Sequence, residues 1–253
     1  MSRLHRQLLG VVVTDIVSGA IQPGEMLPRE ADLAAQFGVS RGVAREAIRG
    51  LEERGLIRVK HGRGATANPA DMWDLFSTDV LSALLESDRG IEVLTDYLEC
   101  RRILEIEAAG LAAERADATR ISDLAGALAR MTSSAERATV NPAAEDLYHE
   151  ADIDFHRRVI AATGNKALGR MTEPIHRALA EARRPLARPE FRLERSLPEH
   201  ERILAAIADR DPAEARAAMR DHLLTVELYL REYAEDVAGG RVAGSRAHGR
   251  VES

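Results

Sequence analysis

Four side chains in the C-terminal half have the types and the spacing of a divalent-metal site. Asp152 and His156 are four residues apart and therefore share one face of a predicted helix. His200 begins a later helix and His222 lies on the next one, so an antiparallel return could bring their imidazoles together. Three imidazoles and a carboxylate suit Zn²⁺, Ni²⁺ or Mn²⁺ and leave positions for water or a ligand. His149 shares the first helix face, so spacing alone does not select the ligands, and such histidines could equally be exposed on polar helices.

A second set of side chains, near the N-terminus, has the spacing of a DNA-reading helix. Arg41, Arg45 and Arg49 recur every four residues and form one stripe on a predicted helix. Guanidinium groups on such a stripe reach phosphates, or the O6 and N7 edge of guanine in the major groove. Ser40 precedes the stripe, where its hydroxyl can cap the helix and contact a phosphate. The other interpretation is a solvated face on which Arg49 pairs with Glu53.

The elements around this stripe predict a winged helix-turn-helix. Helices are expected over residues 6–20, 30–37 and 40–54, followed by a hairpin with strands at 56–60 and 65–68. The turn of the hairpin carries His61, Gly62, Arg63 and Gly64. Its two glycines permit a sharp turn, so the wing backbone can approach a duplex with His61 and Arg63 beside it.

The rest of the chain favours a mostly α fold class, in which a C-terminal antiparallel α-helical bundle follows the N-terminal winged helix-turn-helix. No segment after Ile91 has the period of a strand. Helices are expected over residues 91–115, 119–137, 142–162, 165–184, 188–208 and 212–235. The predicted domains are 1–68, a DNA-binding domain; 69–90, a linker with a short helix over 72–86; 91–237, an all-α effector-binding and dimerisation domain; and 238–253, a disordered tail.

Composition and charge exclude several classes of protein. The 253 residues are 45% hydrophobic and 30% charged, a soluble globular profile without the long apolar run of a membrane span. The single cysteine, Cys100, excludes an internal disulfide, and Leu8–Val13 is too short for a secretory signal, so we expect a cytoplasmic protein with no membrane partner. Residues 1–67 carry 10 Lys and Arg against 7 Asp and Glu, whereas the remainder carries 25 against 34. This asymmetry indicates that only the N-terminal segment meets a polyanion.

A long run of fixed spacings covers the predicted helix-turn-helix. It reads Leu27-Pro28-x-Glu30-x-x-Leu33-Ala34-x-x-Phe37-Gly38-Val39-Ser40-Arg41, continuing x-x-x-Arg45-Glu46-Ala47-Ile48-Arg49-x-Leu51-Glu52-x-x-Gly55-Leu56-Ile57. With its flanks, residues 6–67, it resembles the GntR family of bacterial transcription regulators. The resemblance implies DNA contacts at Ser40, Arg41, Arg45 and Gly62. The chain has Ala31 where the family commonly has arginine, and Arg29 is expected to reach the phosphates instead, so the operator sequence does not transfer from relatives.

A second set of motifs lies in the C-terminal half. They are Arg101-x-x-Leu104-Glu105-x-x-Ala108-Ala109-x-Leu111-Ala112, Asp152-x-x-Phe155-His156, Thr163-Gly164-Asn165, Glu199-His200 and Met219-x-x-His222-Leu223. Over residues 91–235 the chain is similar to the FadR-type ligand-binding domain (FCD). In the metal-binding branch of that family an Asp and three His hold a divalent ion, and the resemblance carries these roles onto Asp152, His156, His200 and His222. The acyl-CoA-binding branch lacks this set.

The same resemblance implies an effector site beside the metal. It places Arg101 in the bundle cavity, where a planar guanidinium suits a ligand carboxylate. The residue-based alternative is a surface salt bridge between Arg101 and Glu105. Asn165 is expected to add a hydrogen bond at the cavity wall. The segment Trp73-Asp74-Leu75-x-x-x-Asp79-Val80-Leu81 resembles the linker of members that answer to sugar acids such as aldonates.

These inferences predict a transcription repressor rather than an enzyme. A homodimer would bind an inverted-repeat DNA operator, and a small organic acid or sugar acid beside the metal, Zn²⁺ first among the candidates, would change that binding. The alternative is a metalloregulator in which the ion itself is the signal. A third hypothesis, a metal-dependent hydrolase fused to a DNA anchor, needs a general base near the ion. Asp154 points off the ligand face, and no other acid–base partner recurs at helical spacing.

Overall fold

The computed structural model describes residues 3–60, 64–138, 141, 144–181 and 195–238. The chain divides into two compact units, Met1–Leu94 and Thr95–Ser253, called the N-terminal unit and the C-terminal unit below. Among the described helices, none combines the length and the apolar character that a bilayer crossing requires.

The N-terminal unit contains the predicted winged helix-turn-helix. Its first elements are α1 (Arg3–Val17), α2 (Glu30–Gln36), α3 (Arg41–Glu53), β1 (Ile57–Lys60) and β2 (Gly64–Ala67). The two strands are antiparallel, with Ile57 opposite Ala67 and Lys60 opposite Gly64. Helix α3 buries Ala44, Ala47, Ile48 and Leu51, so its arginines point to solvent. Val43, directly before Ala44, is only half-buried.

The segment after the wing packs onto the N-terminal unit. A short 3₁₀ turn at Ala70–Met72 precedes α4 (Thr78–Glu86), whereas the sequence predicted one helix over 72–86. The helix begins later because Trp73 is extended and the Asp74 carboxylate accepts a hydrogen bond from the Phe76 N–H, a local turn that competes with helix. Gly55, at φ 69°, ends α3 where a Cβ would lie 2.0 Å from the Met72 carbonyl oxygen, so only glycine fits there.

The regular secondary structure of the C-terminal unit is all helix in the described residues. The helices that build it are α5 (Gly90–Arg115), which begins in the N-terminal unit, α6 (Ala118–Ala138), α7 (Ala144–Ala162), α8 (Lys166–Glu181), α9 (Leu197–Ala208) and α10 (Pro212–Ala238). Their core is rich in alanine with a few larger side chains, such as Phe155 and Met131, which lets the helices approach closely. The mostly α fold class is confirmed. The predicted start of the helix over 188–208 and the predicted tail from 239 onward lie outside the described residues.

Several polar side chains are buried inside this alanine-rich bundle, and they position the site. Arg101, Glu105, His156, His176, His200 and His222 are each at most 3% exposed. They come from α5, α7, α8, α9 and α10, so their neighbourhood depends on the whole bundle. Buried polar groups cost free energy unless they are paired, which makes such a cluster unusual for a purely structural core.

Candidate metal centre and nucleic-acid interface

The four predicted metal ligands come together in the C-terminal unit. One ligand atom from each of Asp152, His156, His200 and His222 lies within 4.8 Å of all the others. Nε2 of His200 lies 3.2 Å from Nε2 of His156 and 3.2 Å from Oδ1 of Asp152. The three imidazoles are at most 1% exposed, and the Asp152 side chain is 16% exposed. Helix α7 thus supplies two ligand atoms one turn apart, and α9 and α10 supply one each.

The outer nitrogens of the three imidazoles point away from this cluster toward acceptors. His200 Nδ1 donates to the Ser196 carbonyl oxygen at 2.6 Å, and His222 Nδ1 donates to Glu199 Oε2 at 2.9 Å. A carbonyl oxygen accepts only, so Nδ1 of His200 carries a proton, and Nε2 is the atom that faces the cluster. Metal-bound histidines in proteins are held in this way by a second partner.

The inner atoms have the chemistry that a cation requires. His222 Nε2 is buried and has no hydrogen-bond partner among the described residues. The neighbouring Nε2 atoms of His156 and His200 face each other, so bare lone pairs would repel there unless a proton or a cation lies between them. Together with the Asp152 carboxylate these atoms fit a divalent metal with mixed nitrogen and oxygen ligands.

The electrostatics of the cluster keep His156 and His222 neutral and Asp152 charged. Burial, assisted by the Arg101 charge, lowers the pKa of His156 to about 3. Burial and the neighbouring His200 and Arg101 also hold the pKa of His222 well below its usual value. For Asp152 burial alone raises the pKa, but the hydrogen bond from His200 and nearby positive charge outweigh it, so the pKa lies well below its usual value. Neutral imidazole and ionised carboxylate are the forms that bind metals.

Arg101 lies in the interior of the bundle beside this cluster. It is 3% exposed, and its Nε donates to Glu105 Oε1 at 3.1 Å. The salt bridge that the residues alone suggested is therefore present, but it is buried rather than on the surface. Glu105 is ionised: burial by itself raises its pKa, but Arg101 and His156 more than offset this, and the pKa lies well below its usual value.

Other side chains that the sequence placed near the site have different surroundings. His149 Nε2 lies 2.8 Å from the Leu179 carbonyl oxygen, outside the ligand cluster. Asn165 is exposed, and its Oδ1 accepts from the N–H groups of Ala167 and Leu168 at the start of α8. Asp154 pairs with two arginines of the surface, Arg130 and Arg158.

Three buried or half-buried groups around the cluster were missed by sequence reasoning. Glu199 accepts hydrogen bonds from His222 Nδ1 and, at 3.0 Å, from the Thr225 hydroxyl. His176 Nε2 lies 2.8 Å from Glu105 Oε1. For Glu105 the sequence predicts only a surface salt bridge with Arg101. Glu105 and Glu199 both stand inside the FCD-like motifs, which was the available signal, whereas His176 has no spacing relation to the others.

On the N-terminal unit, α3 presents an exposed basic stripe as the sequence predicted. Ser40 caps the helix, since its Oγ accepts from the Val43 N–H at 3.3 Å. Arg41 is exposed, Arg45 Nε lies 3.3 Å from Glu30, and Arg49 lies 3.1 Å from Glu46 rather than beside Glu53. These pairs are exposed and weak, so phosphates can displace them. Arg29 is also exposed, at the start of α2, and the wing residues His61, Gly62 and Arg63 lie outside the described residues.

Comparisons with known proteins found a matching family model for each of the two units. Residues 5–66 match the model of the bacterial regulatory proteins of the gntR family, and residues 96–225 match that of the FCD domain. The galactonate operon transcriptional repressor of Escherichia coli (strain K12) is 32% identical over 88% of this chain and 96% of its own length. The HTH-type transcriptional regulator LutR of Bacillus subtilis (strain 168) is 32% identical over 87% and 98%.

A further relative and a solved structure extend the agreement. The Uxu operon transcriptional regulator of Escherichia coli (strain K12) is 31% identical over 90% of this chain and 87% of its own length. The solved structure of Lar from Listeria monocytogenes, at 19% identity, covers 92% of this chain and 98% of that chain with a TM-score of 0.61, which supports the fold.

Proposed function

Because the chain belongs to the GntR family of bacterial regulatory proteins and carries an FCD domain, we propose that this DNA-binding transcriptional regulator is a repressor controlled by a small carboxylate bound beside a divalent metal. It is a regulator and not an enzyme. The convergence of three buried imidazoles and one carboxylate is the observation that carries the proposal. We expect the protein in the cytoplasm, where a bacterial chromosome lies.

The metal part of the proposal assigns ligand roles to Asp152, His156, His200 and His222. Zn²⁺ is the first candidate because imidazole suits it well, and Ni²⁺ and Mn²⁺ are the other candidates. When bound, such an ion supplies a fixed positive charge with open positions that can take an oxygen of a ligand. The outward hydrogen bonds of His200 and His222 support these roles, since they hold both Nε2 atoms toward the cluster.

The effector part of the proposal rests on Arg101. Its guanidinium is buried in the bundle, and its charge contributes to the low pKa values of His156 and His222 in the cluster. A guanidinium binds a carboxylate through two parallel hydrogen bonds. A carboxylate would then lie between this guanidinium and the metal. Asn165 is retained as a weaker candidate contact, because its side chain is exposed and already caps α8. One relative is a galactonate operon repressor, so galactonate, a sugar acid, is the first effector to test.

The DNA part of the proposal assigns contacts to α3 and to the wing. Arg41, Arg45 and Arg49 would reach phosphates or the edges of guanine bases. Ser40 and Arg29 would contact the phosphate backbone of the DNA. His61, Gly62 and Arg63 would form the wing contacts. Two copies of the chain would read the two halves of an inverted repeat. The effector must favour one of two arrangements of the copies, since equal affinity for both would shift nothing.

The test is operator binding measured by fluorescence anisotropy with and without acids. The protein itself first selects an operator from a random pool of duplexes. Wild type, His200→Ala and the control His149→Ala are then titrated with galactonate, other sugar acids and small hydroxy acids, and the metal content of each is measured. We expect one acid to release wild type and His149→Ala, but not His200→Ala. If no acid acts while added or removed metal shifts binding, the ion is the signal and the carboxylate proposal is wrong.

A further inference from the structure

We propose that Glu105 is a positioning residue that holds His156 ready for the metal while it also anchors Arg101. This inference rests on the proposed function, because it concerns the same metal. Glu105 is 1% exposed and lies on α5 one turn after Arg101. The sequence predicts only a surface salt bridge with Arg101 for this residue and no role toward the metal ligands.

The two oxygens of Glu105 have different partners. Oε1 accepts from Arg101 Nε at 3.1 Å and lies 2.8 Å from Nε2 of His176. Oε2 lies 2.6 Å from Nδ1 of His156. One carboxylate therefore touches the arginine of its own helix and two histidines from α7 and α8, and one of those histidines is a candidate metal ligand.

The contact between Glu105 and His156 has the distance of a hydrogen bond but not its angle. Both atoms, Oε2 and Nδ1, are fully buried, and neither has another hydrogen-bond partner among the described residues. A buried donor and acceptor left unpaired cost more than the small rotation that would align them. We therefore assign the pair as Nδ1–H donating to the carboxylate.

This assignment has a direct consequence for metal binding. An imidazole that carries its proton on Nδ1 keeps its lone pair on Nε2, and Nε2 of His156 is the atom that faces the cluster. A carboxylate behind the ring also makes the imidazole a stronger donor to a metal and fixes its orientation. Glu105 would thus do for His156 what Glu199 does for His222 and the Ser196 carbonyl does for His200.

A single substitution of Glu105 has two effects that must be separated. Glu105→Gln removes the carboxylate behind His156, and it also leaves the buried charge of Arg101 without its partner. An unneutralised guanidinium would itself repel a cation. The double variant Arg101→Gln/Glu105→Gln, compared with Arg101→Gln alone, measures the effect of Glu105 in the absence of that charge.

The experiment measures Zn²⁺ affinity of the full chain by competition with a chromophoric chelator. We expect Glu105→Gln to lose roughly 10- to 100-fold in affinity, the range found for outer partners of metal ligands. Glu107→Gln is the matched control: it lies two residues away on α5, its side chain is 64% exposed, and it should bind as wild type does. The loss should persist at about 10-fold or more in the Arg101→Gln background. If it disappears there, Glu105 only neutralises Arg101 and the proposal is wrong.

A second measurement uses only the wild-type protein, so it does not depend on whether a variant folds. Nitrogen NMR of the wild-type imidazoles should show His156 protonated on Nδ1 and bare on Nε2, and the opposite tautomer would overturn the assignment. The outcomes also separate the two proposals. Wild type that binds no more Zn²⁺ than His200→Ala contradicts the metal centre and this inference together. Tight binding by wild type and by Glu105→Gln alike contradicts this inference alone.

Discussion

The two units hold their functional side chains in opposite ways. On α3 the side chains of Arg45 and Arg49 are 58% and 65% exposed, and each pairs loosely with one neighbouring carboxylate. In the C-terminal unit His156 and His200 are completely buried, and the outer nitrogen of each ring faces a fixed acceptor. An exposed arginine can change partners when a phosphate arrives, whereas a buried histidine can only bind what fits between its neighbours.

This difference predicts how each unit responds to substitution. Changes to the exposed stripe should alter binding to DNA and leave folding intact, since surface substitutions rarely shift stability by more than about 0.5 kcal/mol. Changes to the buried cluster should alter ligand binding and stability together, because removing one partner leaves others unsatisfied. The experiments below test that contrast.

The largest effect is expected from loss of a buried ligand. His222→Ala removes one of four candidate ligands, and if four share roughly 10–16 kcal/mol of metal binding, the loss is about 3 kcal/mol or more than about 100-fold. Metal content after dialysis against a weak chelator is the measurement. His149→Ala should keep its metal, since His149 contacts the Leu179 carbonyl oxygen instead. Equal loss of metal in both variants would contradict the ligand assignment.

The exposed stripe is tested with Arg45→Ala. If Arg45 contacts a base, we expect operator binding to weaken by about 1–3 kcal/mol. If it contacts a DNA phosphate instead, we expect the slope of log K against log salt concentration to fall by about one unit. Anisotropy at several salt concentrations distinguishes the two, and urea unfolding should show unchanged stability. The control is Arg89→Ala, an exposed arginine beside Glu92 in the same unit. A large loss of stability in Arg45→Ala would break the contrast between the units.

The buried cluster is also tested by pH in protein kept free of metal. The pKa of His156 is about 3 in the folded chain and about 6.5 when unfolded. Below pH 6.5 His156 therefore binds a proton in the unfolded chain but not in the folded chain. The free energy of unfolding falls as the pH falls. At pH 5 the cost is about 2 kcal/mol. The low pKa values of Asp152 and Glu105 keep both carboxylates charged across this window.

Urea unfolding at pH 7 and pH 5, for wild type and His156→Gln, measures this cost. The variant lacks the group that titrates, so its stability should fall by about 2 kcal/mol less between the two pH values. Equal falls in the two proteins would mean that the His156 ring is not held neutral by its surroundings.

The same contrast explains what could be predicted from the sequence. The arginine stripe lies on a single helix, so the period of that helix and the cap at Ser40 suffice to predict it. The candidate metal cluster joins three helices. Spacing alone could not separate His156 from His149 as a ligand, and that choice needed the family resemblance. Glu105 and His176 lie on further helices, and no sequence period relates them to the ligands. Their role depends on how the bundle packs, which a single sequence does not display.

The smallest effect is expected at Ser40, where the structural and the functional roles of one side chain can be separated. Its Oγ caps α3 through the Val43 N–H, and it stands where the resemblance expects a phosphate contact. Ser40→Ala should lose the cap, about 1 kcal/mol of stability, together with the contact to DNA. Ser40→Asp should restore the cap, because aspartate is as good an N-cap as serine.

The carboxylate of Ser40→Asp would, however, face the phosphates and repel them. We therefore expect wild-type stability in urea with operator binding weaker than that of Ser40→Ala. If Ser40→Asp recovers both stability and DNA binding, Ser40 acts only as a cap and the DNA contact is wrong. If it recovers neither, a substitution at the exposed start of α3 alters stability and binding together, as expected only for the buried cluster. The contrast between the two units would then be wrong.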